Sequence, residues 1–174
     1  DWIPRGNRMH MSKNEFTMPF MLKKTGYATC MSGKWHCNGL FNQINQPQPG
    51  DFGFDHWFAT QNNAAPSHED PENFVRNGKS VGMSKGFSCQ IVAQESVNWI
   101  TGHVKKNPDQ PFFSYVAFHE PHEPIASPKN LINNYPNAKK RGEALYYANV
   151  ENMDSAVGQI TRCLDRLNIT KNTL

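Results

Sequence analysis

The sequence predicts an α/β fold, and three stretches predict it. Residues 15–25 (E-F-T-M-P-F-M-L-K-K-T) read as a short helix, stopped by Gly26 and followed by a strand from Tyr27 to Met31. Residues 88–106 carry Ile91, Val92, Val97, Trp99, Ile100 and Val104 at roughly helical spacing. Pro111 to Phe118 (P-F-F-S-Y-V-A-F) follows as a buried strand, an apolar and aromatic run rich in strand formers. Residues 143–167 read as the longest helix, with Leu145, Tyr146, Val150, Met153, Val157, Ile160 and Leu164 on one stripe. Helices that alternate with strands in this way pack as α/β layers.

The remaining elements follow from local chemistry. Residues 1–14 show no clear period. Asn14 is the expected cap of the first helix, with Glu15 and Thr17 in its first turn and Pro19 tolerated near the start. Residues 37–52 form a polar loop, and Gly53 to Ala59 (G-F-D-H-W-F-A) a strand or a packed extended piece. Asn77-Gly78 between short β-prone runs in 73–81 predicts a hairpin with a type I′ turn. Ser88 is the expected cap of the second helix, and residues 128–135 form a short helix. There are no internal repeats or low-complexity tracts.

Composition narrows the function. The chain has 174 residues, enough for one domain with a core. Hydrophobic content of 37% and a mean hydropathy of -0.69 suit a loop-rich segment. A net charge of +3 is too mild to argue for nucleic acid. No run of 18 apolar residues predicts a membrane span. The four cysteines include no C-x-x-C, so neither a zinc ribbon nor a dithiol redox site is indicated. Cys30 and Cys37 flank one motif and could bridge, with two unpaired thiols the preferred reading. Asn168-Ile169-Thr170 is a glycosylation sequon, informative only in a secretory setting.

Two clusters carry the chemistry. Lys34 and His36 stand two residues apart just past a short apolar run. If that segment is extended, both face one side while Trp35 packs away. A compact cation beside an imidazole makes an anion cradle, although the spacing alone also fits a surface lysine and a stray histidine beside a core tryptophan. The second cluster, His119-Glu120-Pro121-His122-Glu123-Pro124, closes the strand 111–118. Its prolines forbid regular structure and stiffen the loop. In open α/β sheets, ligands sit beyond the carboxyl ends of strands.

Taken in order, the motifs G-Y-A-T-x-x-x-G-K-W-H, G-F-D-x-W-F, P-F-F-x-Y-V-x-F-x-x-P-H-x-P and a helical D-x-x-V-G-x-I resemble the type I sulfatase family of the alkaline-phosphatase-like superfamily. The resemblance runs from about Phe16 to Leu174 with a divergent middle. It implies a three-layer sandwich with a mostly parallel central sheet flanked by helices, incomplete at both ends of this chain. It also implies that Lys34 contacts the substrate sulfate and the catalytic aldehyde-derived residue, that His36 hydrogen-bonds that residue, and that His122, not His119, binds sulfate near the leaving oxygen.

Other family features are missing from the chain. The family's paired calcium-binding aspartates, its C/S-x-P-S-R formylglycine motif and its later S-D-N-G calcium segment do not occur in 1–174, and none of Cys30, Cys37, Cys89 or Cys163 has the formylglycine context. The resemblance therefore implies an internal segment of a sulfatase catalytic domain, inactive alone. Calcium and formylglycine belong outside this chain, and no metal is held within it. The implied substrate is a sulfated small molecule or polysaccharide. The implied location is secreted or periplasmic in a bacterium, or lysosomal or secretory in a eukaryote.

His56, Asn62, Asn63, His68 and Arg76 lie in the divergent middle, where the resemblance implies that substrate selectivity is shaped. Arg76 could contact a sugar carboxylate or sulfate bidentately, or be a solvated hairpin charge. His103 reads as surface and Asp154 as structural or solvated. Competing readings are a phosphodiesterase or phosphonate hydrolase of the same superfamily, a non-catalytic sulfatase-like binding module, and a zinc site at His119-x-x-His122. The last lacks the helix such pairs need.

Overall fold

The computed structural model describes residues 10–174. Helix α1 is Met18–Lys24, capped by Thr17 and not by Asn14. The Thr17 hydroxyl accepts from Phe20 N at 3.4 Å and donates to Phe52 O at 2.6 Å. One side chain therefore caps the helix and anchors it to a distant turn, which a cap three residues earlier would not do. Strand β1, Ala28–Lys34, runs three residues beyond the expected end. Phe54 and Asp55 precede strand β2, His56–Thr60, and a 3-10 turn at Pro49–Phe52 interrupts the polar loop before it. The hairpin forms as expected: β3 (Val75–Arg76) and β4 (Lys79–Ser80) are joined by Asn77 at φ 47° and Gly78 at φ 84°, the two positive angles of a type I′ turn.

Helix α2 is Ser88–Lys106, β5 is Phe112–Ala117, α3 is Lys129–Ile132, and α4 is Arg141–Arg166. The sheet order is β4-β3-β2-β1-β5. Strands β2, β1 and β5 are parallel, and the short hairpin adds two antiparallel strands beside β2. The α/β class holds, with a mixed sheet whose parallel part is its centre.

Strand alternation divides the core in two. Met31, Trp57 and Ala59 face one side, where Trp35, Phe52 and Phe54 cover them. Phe58 faces the other, stacked on Phe74 at 4.3 Å and packed with Val92 of α2. Helix α4 packs on α2 through Ala156, Met153 and Ile160 against Cys89 and Ala93.

The stripe expected on α4 holds only in part, at Met153 and Ile160. Tyr146 and Val157 are each 43% exposed, whereas Ala148, Asn149, Asn152, Ala156 and Cys163 are buried. Small and amide side chains let the two helices approach closely, and each amide has a partner at one of its two polar atoms, Asn149 Oδ1 and Asn152 Nδ2 being buried without one. Gln90 Nε2 donates to Asn152 Oδ1 at 2.8 Å, and Asn149 Nδ2 donates to Ala126 O at 2.9 Å. A hydrophobicity count cannot see a helix interface built from alanine and asparagine.

The start of α2 is capped across the fold. Phe87 is the cap residue and makes no side-chain bond there. The buried Glu120 carboxylate supplies the acceptor instead, taking Ser88 Oγ at 2.5 Å and Cys89 N at 3.0 Å. A carboxylate at a helix N-terminus is favoured by both the free amides and the dipole. It also ties the loop after β5 to α2. All four cysteines are free.

Arg76 does not present its guanidinium to solvent as a free fork. Its Nε and a terminal nitrogen donate to the two Glu95 oxygens at 2.8 and 2.6 Å, and His56 Nε2 lies 2.8 Å from the same carboxylate. Burial works to raise the Glu95 carboxyl, but the hydrogen bonds and charges of Arg76 and His56 outweigh it and hold it at about 2. Because the folded value is below the ordinary one, this group stabilises the fold above about pH 4.5. The contribution drains away as pH falls toward 2. With Arg76 half open to water, it is on the order of 2 kcal/mol. Urea unfolding of the wild type should therefore weaken more steeply over that range than unfolding of Glu95→Gln. Parallel pH profiles would show the pair to be energetically idle.

Candidate functional site

Three parallel strands end at the same edge of the sheet: β1 at Lys34, β2 at Thr60 and β5 at Ala117. Their carboxyl-end loops carry Lys34 to His36, Gln61 to Asn63, and His119 to His122. This common edge brings together residues about 30 to 90 positions apart in the chain.

The loops are fixed by backbone bonds. Trp35 N donates to Thr60 O at 2.9 Å and His36 N to Gln61 O at 2.8 Å, so the β1–β2 pairing continues past Lys34. His36 stands at φ 49°, a left-handed turn. Its nearness to Lys34 therefore comes from the turn and not from strand alternation. Trp35 does pack away from the edge, into the Phe52 and Phe54 cluster.

Asn63 joins the two side chains expected to meet here. Lys34 Nζ donates to Asn63 Oδ1 at 2.8 Å, and Asn63 Nδ2 lies 2.8 Å from His122 Nδ1. The Asn63 backbone is held by Asn73 Nδ2, which donates to Asn63 O at 2.9 Å. His36 lies within electrostatic reach of both. Partial burial, then Lys34, then His122 lower its imidazole below the ordinary value. Burial lowers the Lys34 ammonium as well. No carboxylate is hydrogen-bonded to Lys34, His36 or His122 among the described residues. The result is an open cluster of donor groups in which Lys34 and Asn63 are half-buried and His36 and His122 are exposed.

His119 occupies a different environment from His122. It is 2% exposed, and its Nε2 lies 2.7 Å from Thr60 Oγ1. That hydroxyl donates its proton to Asn62 O at 2.5 Å, so the Nε2–H of His119 is the donor. Burial, followed by His68 and Lys34, pushes His119 down to about 3, leaving it neutral. His68 is fully buried and also lowered by burial, partly offset by Glu120. With His119 committed to Thr60 and His122 in the open, the two do not form a zinc pair. Among the described residues, no three His, Cys, Asp or Glu side chains converge as a metal-binding group.

The other middle-loop candidates separate. Asn63 joins the cluster and Asn62 contributes only its backbone carbonyl. His56 and Arg76 belong to the Glu95 pair, with no contact to Lys34 or His122. His103 is 9% exposed and not a surface residue, donating from Nε2 to Gln110 O at 2.9 Å. Asp154 is exposed. Glu120 escaped the sequence reading because only the folded chain brings it to the start of α2.

Comparison with known proteins agrees with this arrangement. The sulfatase family model matches residues 9–174. The chain is similar to the N-acetylgalactosamine-6-sulfatase of Mus musculus (30% identity, 92% of this chain, 31% of the relative) and to the ulvan-active sulfatase of Formosa agariphila (27% identity, 97% and 35%). It spans about a third of the length of these curated relatives. The crystal structure of Ps i-CgsB in complex with k-i-k-neocarrahexaose shares the fold, with a TM-score of 0.80 at 23% identity, over 94% of this chain and 39% of that one. Motif order, an α/β sheet with cationic loops at one edge, and a family match over nearly the whole length agree: the chain belongs to the sulfatase family, of alkaline-phosphatase-like fold.

Proposed function

We propose that the whole protein is a sulfuric ester hydrolase acting on a sulfated carbohydrate or aryl sulfate, and that this chain, as an internal segment of the catalytic domain, supplies the cationic side of its sulfate pocket. The observation that carries the reading is the Lys34–Asn63–His122 hydrogen-bonded run at the carboxyl edge of three parallel strands, with His36 in reach and no neutralising carboxylate bonded to it. Relatives named for sulfatase activity on N-acetylgalactosamine 6-sulfate and ulvan support the substrate class.

Sulfate ester cleavage spreads charge over the non-bridging oxygens and builds it on the leaving oxygen, so fixed donors at both places lower the barrier. Lys34 supplies a permanent positive charge to the sulfate oxygens. His122 donates a hydrogen bond near the leaving oxygen, or the proton itself. His36 orients the nucleophile. The family resemblance also calls for calcium and formylglycine. The donor set here, an ammonium, two imidazoles and an amide, suits an anion and does not fit calcium. Both groups therefore belong, in this proposal, to other parts of the protein, and the chain alone lacks a nucleophile. An exported or lysosomal setting follows from the family in the same way. Among the described residues no helix is long and apolar enough to cross a membrane.

The depressed His36 provides a test. A bound oxyanion offsets the Lys34 and His122 charges that lower it, so sulfate should raise the His36 titration. By linkage, sulfate should then bind more tightly as pH falls through that range, by up to about tenfold per pH unit. In the full-length protein, the His36 ring resonances followed against pH with and without sulfate check this, alongside sulfate inhibition of aryl sulfate turnover. A His36 titration unmoved by saturating sulfate rejects the pocket. Faster turnover of an aryl phosphodiester than of the sulfate ester would assign phosphate chemistry instead.

A further inference from the structure

We propose that Thr60 and His119 are a buried positioning pair: the Thr60 hydroxyl, held by the His119 ring, locks the three loops that carry Lys34, Asn63 and His122 into one arrangement. This rests on the sulfate-pocket reading above.

Thr60 is the last residue of β2, and His119 lies just past the end of β5. They are 0% and 2% exposed. The Thr60 carbonyl accepts from Trp35 N at 2.9 Å, between Lys34 and His36. Its hydroxyl accepts from His119 Nε2 at 2.7 Å and donates to Asn62 O at 2.5 Å, next to Asn63. The His119 backbone carries the connection on, because its carbonyl accepts from His122 N at 3.0 Å. One threonine therefore touches all three loops, and none of these loops has a regular hydrogen-bond ladder to place it.

Only one ring form serves. The single hydroxyl proton is committed to Asn62 O, so the ring must donate through Nε2–H. His119 Nδ1 is buried with no partner among the described residues, so a proton on it would have no acceptor in either the neutral or the charged ring. Burial, the largest cause, lowers the ring to about 3, so the pair does not titrate near neutral pH. As a device for stability alone the pair is poor, since it leaves a buried nitrogen unsatisfied. Its effect is geometric: it sets where Asn63 and His122 stand relative to Lys34.

The experiment compares Thr60→Val, Thr60→Ser and the double variant Thr60→Val with His119→Leu, all in the full-length protein. Valine keeps the branched shape without the hydroxyl, and serine keeps the hydroxyl. Thr60→Val should lower kcat for an aryl sulfate by roughly 10- to 100-fold with a smaller change in KM, as misplaced reacting groups do. Thr60→Ser should recover most of that loss. The double variant replaces both polar partners by apolar ones. Its urea midpoint should stay near that of the wild type while its kcat stays as low as that of Thr60→Val. Low turnover at undiminished stability is what positioning yields and a structural role does not. Wild-type kcat in a folded variant without the hydroxyl overturns the inference. A double variant that fails to fold overturns it as well, because the pair is then structural. Lys34→Met and His122→Ala test the underlying reading in the same assay. If both keep full turnover, the sulfate pocket falls. If both lose turnover and Thr60→Val does not, only the positioning inference falls.

Discussion

Lys34→Met in the full-length protein lowers kcat/KM for an aryl sulfate by about 10³-fold while its unfolding midpoint holds or rises. A fixed charge aimed at transition-state oxygens in a partly dry site contributes roughly 3–4 kcal/mol. The ammonium sits at the end of β1, half-buried, with Asn63 Oδ1 as its hydrogen-bond partner. Burial lowers it from its ordinary value, so the fold holds the charged form at a cost. The sign follows: folding is favoured more as pH rises from the folded value toward the ordinary lysine value, where the unfolded chain still binds the proton. Wild type should therefore gain stability over that alkaline window and the methionine variant should not. Steady-state kinetics with urea unfolding at several pH values checks both halves. Full activity in Lys34→Met would remove the lysine from the site, whereas a large loss of stability would make it structural.

Gly33→Ala destabilises the protein by about 3–5 kcal/mol, the range of severe core disruption. Gly33 pairs with Ala117 across β1 and β5 and stands at φ 110°, where side chains are strained. An added Cβ would lie 1.9 Å from the Ala117 carbonyl oxygen, a contact with backbone and not with a movable side chain. The two strands must part or the φ must change. Either response moves Lys34, the next residue, relative to the loop that carries His122, so the surviving folded fraction should also lose turnover. Urea unfolding and specific activity per folded molecule are the measurements. A loss under about 1 kcal/mol would show that the edge of the sheet yields easily.

The first helix, the second helix, the Asn77-Gly78 hairpin and the strand Phe112–Ala117 were legible because each rests on local signals: a glycine stop, an amphipathic period, a turn dipeptide and an aromatic, apolar run. The cap of α1 and the buried stripe of α4 were not. Thr17 is chosen by a bond to Phe52, Asn152 and Ala156 by their fit against α2, and Asn149 by its bond to Ala126. Both choices depend on a neighbour that a window of sequence does not contain.

The site divides in the same way. Lys34, His36 and His122 were nameable from short motifs in order, because the family's pattern places them one by one. Asn63 was only one polar residue among several in the divergent middle, and Arg76 looked equally available. The sequence by itself determined the α/β class, the family and the motifs that carry Lys34, His36 and His122. The tertiary structure decided which amide joins Lys34 to His122, that Arg76 belongs to Glu95, that His119 lies buried on Thr60, and that Glu120 caps α2. The physical reason is that hydrogen-bond partners are assigned by distance in space, and parallel strand ends bring together residues that are far apart along the chain.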